Sequence, residues 1–240
     1  MERALARMSA PGGFRNRILS TLPGAEYRRL RVSLEQVALQ VNQVLYAPGD
    51  MVDYIYFPND VVVSLLLDVD ERRTVEMAME GNEGAVGLAV HLGGVSACNL
   101  SVVRNAGTAE RLKVDALASC ARPGSALREL LHKSAHALAM QIARIGVCGR
   151  FHSIDERLAR WLLMTQDRVG APEVHATQES IAHLLGVRRS SVTAAASGFH
   201  RRDMIDYRRG RIEILDHGRL LATACSCYGL IKLHYDGFLK

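Results

Sequence analysis

Thr177-Gln178-Glu179-Ser180-Ile181-Ala182-His183-Leu184-Leu185-Gly186-Val187-Arg188-Arg189-Ser190-Ser191-Val192 reads as one short helix, a turn, and the start of a second helix. Thr177 is a residue type that caps helix N-termini, and Glu179 places an acid in the first turn, where the free N–H groups favour negative charge. Gly186 stands where the chain must leave the helix through a left-handed conformation, which glycine adopts at least cost. The second helix is predicted from about Arg189 to Phe199. Counting Gln178 as one, Ala182 falls at five, Gly186 at nine and Val192 at fifteen. A helix-turn-helix needs those types there: a small residue where the helices cross, glycine in the turn, and a branched apolar residue to lock the pair.

Downstream, Met204-Ile205 and then Tyr207-Arg208-Arg209-Gly210-Arg211-Ile212-Glu213-Ile214-Leu215 alternate as a hairpin turning at Arg209-Gly210, with Ile212 and Ile214 facing inward. Helix, turn, helix and hairpin make a winged helix. Its charge is concentrated. From Arg188 to Arg211 there are seven arginines against Asp203 and Asp206, so these 24 residues carry the whole +5 surplus of the 240-residue chain. A basic patch on a near-neutral body is the footprint of a polyanion binder. The second helix would present Arg188, Arg189, Ser190, Ser191 and Thr193 at the end that reaches base edges in a major groove. An arginine there can hold guanine bidentately, while hydroxyls serve phosphate or base. Thr177 and Gln178, at the first helix's start, and the wing residues Arg208, Arg209 and Arg211 are candidate backbone contacts, with Arg201 and Arg202 beside them. Winged helices also dock proteins, and arginines commonly form a solvated face. Spacing, capping, wing and charge here agree on duplex DNA.

Upstream, the texture differs. Phe14, Ile18, Leu19 and Leu22 recur at helical spacing and predict an amphipathic helix within 14–31, ended by Pro23-Gly24. A strand is expected over Val37–Leu45, closing on the turn Tyr46–Asp50. More strands follow at Val52–Phe57, Val61–Leu67, Thr74–Met79, Leu100–Arg104 and Glu110–Val114, with turns at 58–60, 68–72, 81–87 and 105–107. Many short strands at regular spacing make an antiparallel sandwich or roll. From about 124, Leu127, Leu131, Leu138, Ile142 and Ile145 step at helical spacing across some 25 residues, with Gly146 and Gly149 weakening the end. That seam, with small Ser134 and Ala135 in it, suits a second copy of itself; packing on the strand domain suits half of the same residues equally well. Ser153–Val169 is a further amphipathic helix through Ile154, Leu158, Trp161 and Leu162, ended by Gly170-Ala171-Pro172.

The strand-rich first half, the long central helix and the Ala182-x3-Gly186-Val187-Arg188-Arg189-Ser190-Ser191-Val192 winged helix together resemble the Crp/Fnr superfamily of bacterial transcription regulators. The resemblance is strongest over 153–215 and looser over 32–114. It implies a cyclic-nucleotide-binding-like β-roll, a homodimer through the central helix, palindromic DNA sites, and RNA polymerase as a partner if the protein activates. It also implies that positions matching Arg189, Ser190 and Ala194 read bases. Ala194 departs from the frequent arginine there, so no operator sequence is carried over.

In cyclic-nucleotide-binding members, a Gly-Glu pair holds the ribose and an Arg-Ser pair about ten residues later holds the phosphate. Here Leu88 follows Gly87, and no Lys or Arg occurs from Thr74 to Val103, so the cassette offers a phosphate no cation. Glu83 is either a salvaged ribose partner or a turn residue beside Gly84. The iron–sulfur branch uses an N-terminal cysteine cluster, whereas the first cysteine here is Cys98. Cys225-Ser226-Cys227 could bind metal or act as a redox switch, but no second pair or nearby histidine cluster is visible to complete four ligands, and half-buried cysteines on a terminal helix is the simpler reading. His132 and His136 share a helix face and could chelate a metal but have no third ligand in view, and His91 could serve a haem or a small ligand, a turn histidine being the simpler reading. No cofactor and no metal are therefore expected, and the effector is left unknown.

The remaining exclusions are quick. No G-x-S-x-G, G-x4-G-K, H-E-x-x-H or G-x-G-x-x-G occurs, so nothing points to an enzyme. Aromatics are scarce at 5%, with the single Trp161, which argues against a sugar-binding face or base-stacking array. Residues 84–103 carry no charge but hold four glycines, His91 and Asn99, too polar and kinked to span a membrane, and read as buried strands and turns. Met1–Met8 lacks an apolar core, so no signal peptide is expected, and five widely spaced cysteines suit the cytoplasm. The predicted fold is α+β, with a tail at 1–13, a β-roll at 14–122, a dimerisation helix at 123–150 and a winged helix-turn-helix at 151–240. The predicted function is sequence-specific DNA binding in transcription control; the alternative is a degenerate effector-binding or redox-responsive module whose winged helix docks protein.

Overall fold

The computed structural model describes residues 16–70, 73–171 and 173–239. The expected tail at 1–13, Phe14 of the first helix, and the turn residues Glu71, Arg72 and Pro172 lie outside them. The described chain begins with α1 (Arg17–Thr21) and α2 (Gly24–Arg31), where one helix was expected. Pro23, read as the end of a helix, instead N-caps the second, because its fixed φ suits an entry and its missing N–H costs nothing there.

Seven strands follow: β1 (Leu34–Leu39), β2 (Val44–Tyr46), β3 (Tyr54–Pro58), β4 (Val62–Asp70), β5 (Arg73–Glu80), β6 (Leu100–Asn105) and β7 (Gly107–Lys113). They form two antiparallel sheets, in the orders β1-β7-β3 and β2-β6-β4-β5. The single strand expected over 37–45 is two strands in different sheets. Asn42, at φ 65°, reverses the chain between them, a conformation asparagine tolerates better than most residues. Residues 84–99 contain a 3-10 helix (Leu88–Leu92) between left-handed Gly87 and Gly93, where strands and turns were expected. Val114, expected to end a strand, opens α3 (Val114–Cys120).

β4 explains why the middle of the roll reads as an unbroken apolar run. Val63 and Leu65 enter the core between the sheets with Tyr46, Tyr56, Ala78 and Val103. Val62 and Leu66 enter a second core shared with the C-terminal helices. A strand buried on both faces cannot alternate.

The long helix α4 (Ala126–Phe151) is N-capped by Ser125 and runs through Gly146 and Gly149. α5 (Ile154–Val169) follows after one tight corner, fixed by a Ser153/Glu156 capping box and ended by left-handed Gly170. The winged unit comprises β8 (Glu173–His175), α6 (Gln178–Leu185), α7 (Arg189–Arg201), β9 (Ile205–Arg208) and β10 (Arg211–Ile214). β8 adds a third strand to the expected hairpin, in the order β8-β10-β9. Two more helices, α8 (His217–Thr223) and α9 (Cys227–Phe238), close the chain, and α9 packs along α4.

A row of buried polar contacts binds the roll to this helical half. Trp161 Nε1 donates to Glu76 at 3.0 Å, Tyr235 donates to Glu80 at 2.6 Å, and Gln141 exchanges hydrogen bonds with the Met79 backbone at 3.0 and 3.3 Å. Glu83, expected as a ribose partner or a turn residue beside Gly84, lies in that turn and forms a buried ion pair with Arg168 at 2.7 Å. Burial, and then the Glu83 charge, push the Glu80 carboxyl well above its ordinary pKa. Gly84 must lack a side chain, because a Cβ would lie 1.6 Å from Glu80 Oε2.

Arg168→Met strands Glu83 as an uncompensated buried charge, so urea denaturation should show a loss of about 3–5 kcal/mol. Glu83→Gln added to Arg168→Met should recover most of it. A loss under about 1 kcal/mol for the single variant, the range of exposed pairs, would mean that water screens the pair.

Candidate nucleic-acid interface

α6 and α7 cross as the sequence predicts. Thr177 Oγ1 accepts from the Ser180 amide at 3.0 Å, and Gly186 leaves α6 at φ 64°. Ile181, Ala182, Leu184 and Leu185 of α6 meet Val192, Ala195, Ala196 and Phe199 of α7 in one core with Leu158 and Leu162 of α5. Burying those residues forces the opposite face of α7 outward. Arg188, Arg189, Ser190 and Ala194 are exposed, and Ser191 and Thr193 are half-buried.

The expected contact residues do not all stand alike. Arg188 is the N-cap of α7 and makes no side-chain cap, so Arg188, Arg189 and Ser190 project beside the free N–H groups of the helix start. Thr193 is engaged within the protein: its hydroxyl lies 2.7 Å from Gln178 Oε1 and ties α7 to α6. Gln178 is thereby oriented, and its backbone N–H donates to Tyr207 at 3.2 Å, joining the helix start to the wing. Thr177 serves mainly as the cap.

The wing turns through Arg209 at φ 50° and Gly210 at φ 81°, the two left-handed residues of a tight two-residue hairpin. Ile212 and Ile214 face inward as expected. Arg208, Arg209 and Arg211 are exposed; Arg208 rests 2.9 Å from Asp206, and Arg211 pairs with Glu173, whose carboxylate raises that guanidinium's pKa. The wing lies against the start of α6, with the Ala176 amide donating to the Gly210 carbonyl at 2.9 Å. Arg202 turns back to donate to the Gly198 carbonyl at 3.0 Å and so caps its own helix. Arg188, Arg189, Arg208, Arg209 and Arg211 define the basic face, and Arg201 is exposed at the end of α7.

Residues 156–223 match the family described as the Crp-like helix-turn-helix domain. That match concerns the winged unit; over most of the chain the fold is similar to that of solved regulators of the Crp/Fnr type. The chain superposes on FixK2 from Bradyrhizobium japonicum with a TM-score of 0.69 at 16% identity, covering 80% of this chain and 98% of that one. A CRP-family transcriptional regulator from Thermus thermophilus gives 0.66 at 16% identity, over 78% and 96%. The c-di-GMP-responsive global regulator CLP from Xanthomonas campestris gives 0.64 at 13% identity, over 80% and 99%. No curated protein sequence matches the chain. Among the described residues, no helix is long and apolar enough to cross a membrane.

The roll is filled between its sheets by Leu39, Tyr46, Val52, Tyr56, Val86, Ala97 and their neighbours. The histidines flagged in the sequence separate: His132 stacks 4.5 Å from His91, whereas His136 faces His234 at 5.8 Å. The inference that nothing completes four ligands around Cys225 and Cys227 is corrected. The end of α4 brings Cys148 and His152 to them, and the four donor atoms lie within 4.8 Å of one another. Sequence separations of 77 residues for Cys148–Cys225 and 75 for His152–Cys227 hid that grouping.

Gly186→Ala places a Cβ on a left-handed residue, 3.3 Å from Val75 of β5. A loss of about 1–2 kcal/mol in urea denaturation is expected. No loss would mean that the turn is not held in that conformation in solution.

Proposed function

We propose that the protein is a homodimeric, sequence-specific DNA-binding regulator of transcription that binds palindromic duplex sites with the paired N-terminal ends of α7. The observation that carries the reading is the exposed trio Arg188, Arg189 and Ser190 at the start of a helix whose other face is locked into the core, beside a wing tipped by Arg209. Arg189 and Ser190 supply base contacts, and Arg208, Arg209, Arg211 and the Gln178 amide supply phosphate contacts. Such division of labour follows from chemistry: a bidentate fork distinguishes guanine, whereas a charge near a phosphate does not distinguish sequence. Duplex DNA, a second copy of the chain and, for activation, RNA polymerase are the partners this reading requires, in the cytoplasm.

The dimer seam differs from the one the periodicity suggested. Leu127, Leu131, Ser134 and Ile145 are buried within the chain itself. The face of α4 left outward carries Ala139, Ile142, Ala143, Gly146 and Val147, with Ile142 37% and Val147 45% exposed. Small and branched residues at that spacing let two helices approach closely. The side chains filling the roll favour its service as a scaffold for this helix pair.

Arg189→Ala should cost about 1–3 kcal/mol on a specific site and almost nothing on random duplex. Arg209→Ala should weaken both alike and lower the salt dependence of binding by about one unit of slope. Gel shifts at several salt concentrations check both, and equal losses on specific and random duplex for the two variants would refute the assignment. Ile142→Glu should give a folded monomer in sedimentation analysis; an unchanged dimer would place the seam elsewhere.

A further inference from the structure

At the corner where α4 gives way to α5, four soft or borderline donors converge from three places in the chain. Cys148 lies in the last turn of α4, and His152 is its C-cap residue. Cys225 and Cys227 flank the start of α9. Cys148 Sγ lies 3.4 Å from Cys225 Sγ, and Cys227 Sγ lies 3.7 Å from His152 Nδ1. All four atoms fall within 4.8 Å of one another. Zinc bonds to sulfur at about 2.3 Å and to imidazole nitrogen at about 2.0–2.1 Å, so the edges of its tetrahedron are about 3.8 Å between sulfurs and about 3.6 Å between sulfur and nitrogen. Those two pairs stand within about 0.4 Å of the corresponding edges, and every other pair lies within 4.8 Å.

We propose that Cys148, His152, Cys225 and Cys227 form a tetrahedral Cys3His site for a thiophilic divalent cation, zinc being the ion that fits, which clamps the exit of α4 to the start of α9.

Two features beyond the spacing support it. The three thiols are buried, at 0%, 5% and 1% exposure, so the site is closed on the protein side as structural zinc sites are. Arg160 of α5 is 2% exposed, its Nε has no hydrogen-bond partner, and one terminal nitrogen lies 3.2 Å from the Met164 sulfur. A buried guanidinium beside the thiols favours negative charge there. Three thiolates around a divalent ion leave one net negative charge, which Arg160 offsets.

His152 sits between α4 and Ser153, the cap of α5. An ion holding it therefore fixes the corner through which the winged unit hangs from the long helix. On the DNA-binding reading above, the ion would set the angle between the two reading heads.

The test uses the full chain purified under reductant and without chelator, its zinc measured by plasma mass spectrometry. About one zinc per chain is expected, the stoichiometry of a closed four-ligand site. The stripped protein titrated with Co2+ should show the strong visible bands of tetrahedral cobalt and the ultraviolet bands of sulfur-to-cobalt charge transfer. Cys98→Ala/Cys120→Ala should keep the zinc and the cobalt spectrum, because those thiols lie outside the cluster; Cys148→Ala and Cys225→Ala should each lose the metal. Absence of both zinc and cobalt bands in the reduced, folded wild-type chain would overturn the proposal. So would octahedral cobalt without charge transfer, or tetrahedral bands that persist in Cys148→Ala. Metal content is read without DNA, so failure of the DNA-binding reading leaves this result standing, and failure here leaves that reading untouched.

Discussion

The geometry of the molecule hangs on buried carboxyl groups of the roll whose polar contacts are completed by the helical half. Glu76, Glu80 and Glu83 lie on or just after β5, at an edge of the roll, and all are almost wholly buried. Their partners, Trp161, Tyr235 and Arg168, come from α5 and α9. Burying a carboxylate without a partner costs several kcal/mol, so separating the roll from the helices would expose or strand each of these groups. A purely apolar contact could slide; this one specifies register. The recognition helix is thus carried by a core that is continuous with the sheet: Val62, Leu66 and Met79 of the roll share one cluster with Leu158, Ile181, Val192 and Phe199. β5 also touches α6 directly, through the hydrogen bond that Thr74 and His183 share at 2.7 Å.

Within that frame, the basic face follows from a small number of local rules. Phe199, Val192 and Ala196 must go inward, so Arg189 and Ser190 must go outward. The left-handed pair Arg209-Gly210 closes the wing and puts an arginine at its tip. The interior of the roll obeys the same logic in reverse. It is packed with side chains, and its loop between β5 and β6 carries no Lys or Arg to receive a phosphate.

Much of this was legible in the sequence, for reasons that particular residues make plain. Thr177, Gly186, Val192 and Arg209-Gly210 each act over a few neighbours, through caps, left-handed turns and helical spacing, so the winged unit could be read almost residue by residue. Ser153, with Glu156 three positions on, likewise marks the start of α5. What was not legible depends on contacts between distant parts of the chain. The Asn42 reversal sends β1 and β2 to different sheets, although their apolar alternation is continuous. Glu83 reads as a turn residue until Arg168 is seen against it. The spacing of α4 suited a second copy and the strand domain alike, and only the fold shows that Leu127, Leu131 and Ile145 pack within their own chain. Cys148 and His152 carry a recognisable four-residue spacing, but nothing local ties them to Cys225 and Cys227.

The central claim is that α7 reads base sequence as one of a symmetric pair. Selection of bound duplexes from a random pool by the wild-type chain, at moderate salt, tests it most directly. The account predicts enrichment of an inverted repeat whose half-sites are centred about one helical turn, roughly 10 base pairs, apart. A retained pool without any enriched sequence would contradict it, as would a single asymmetric site.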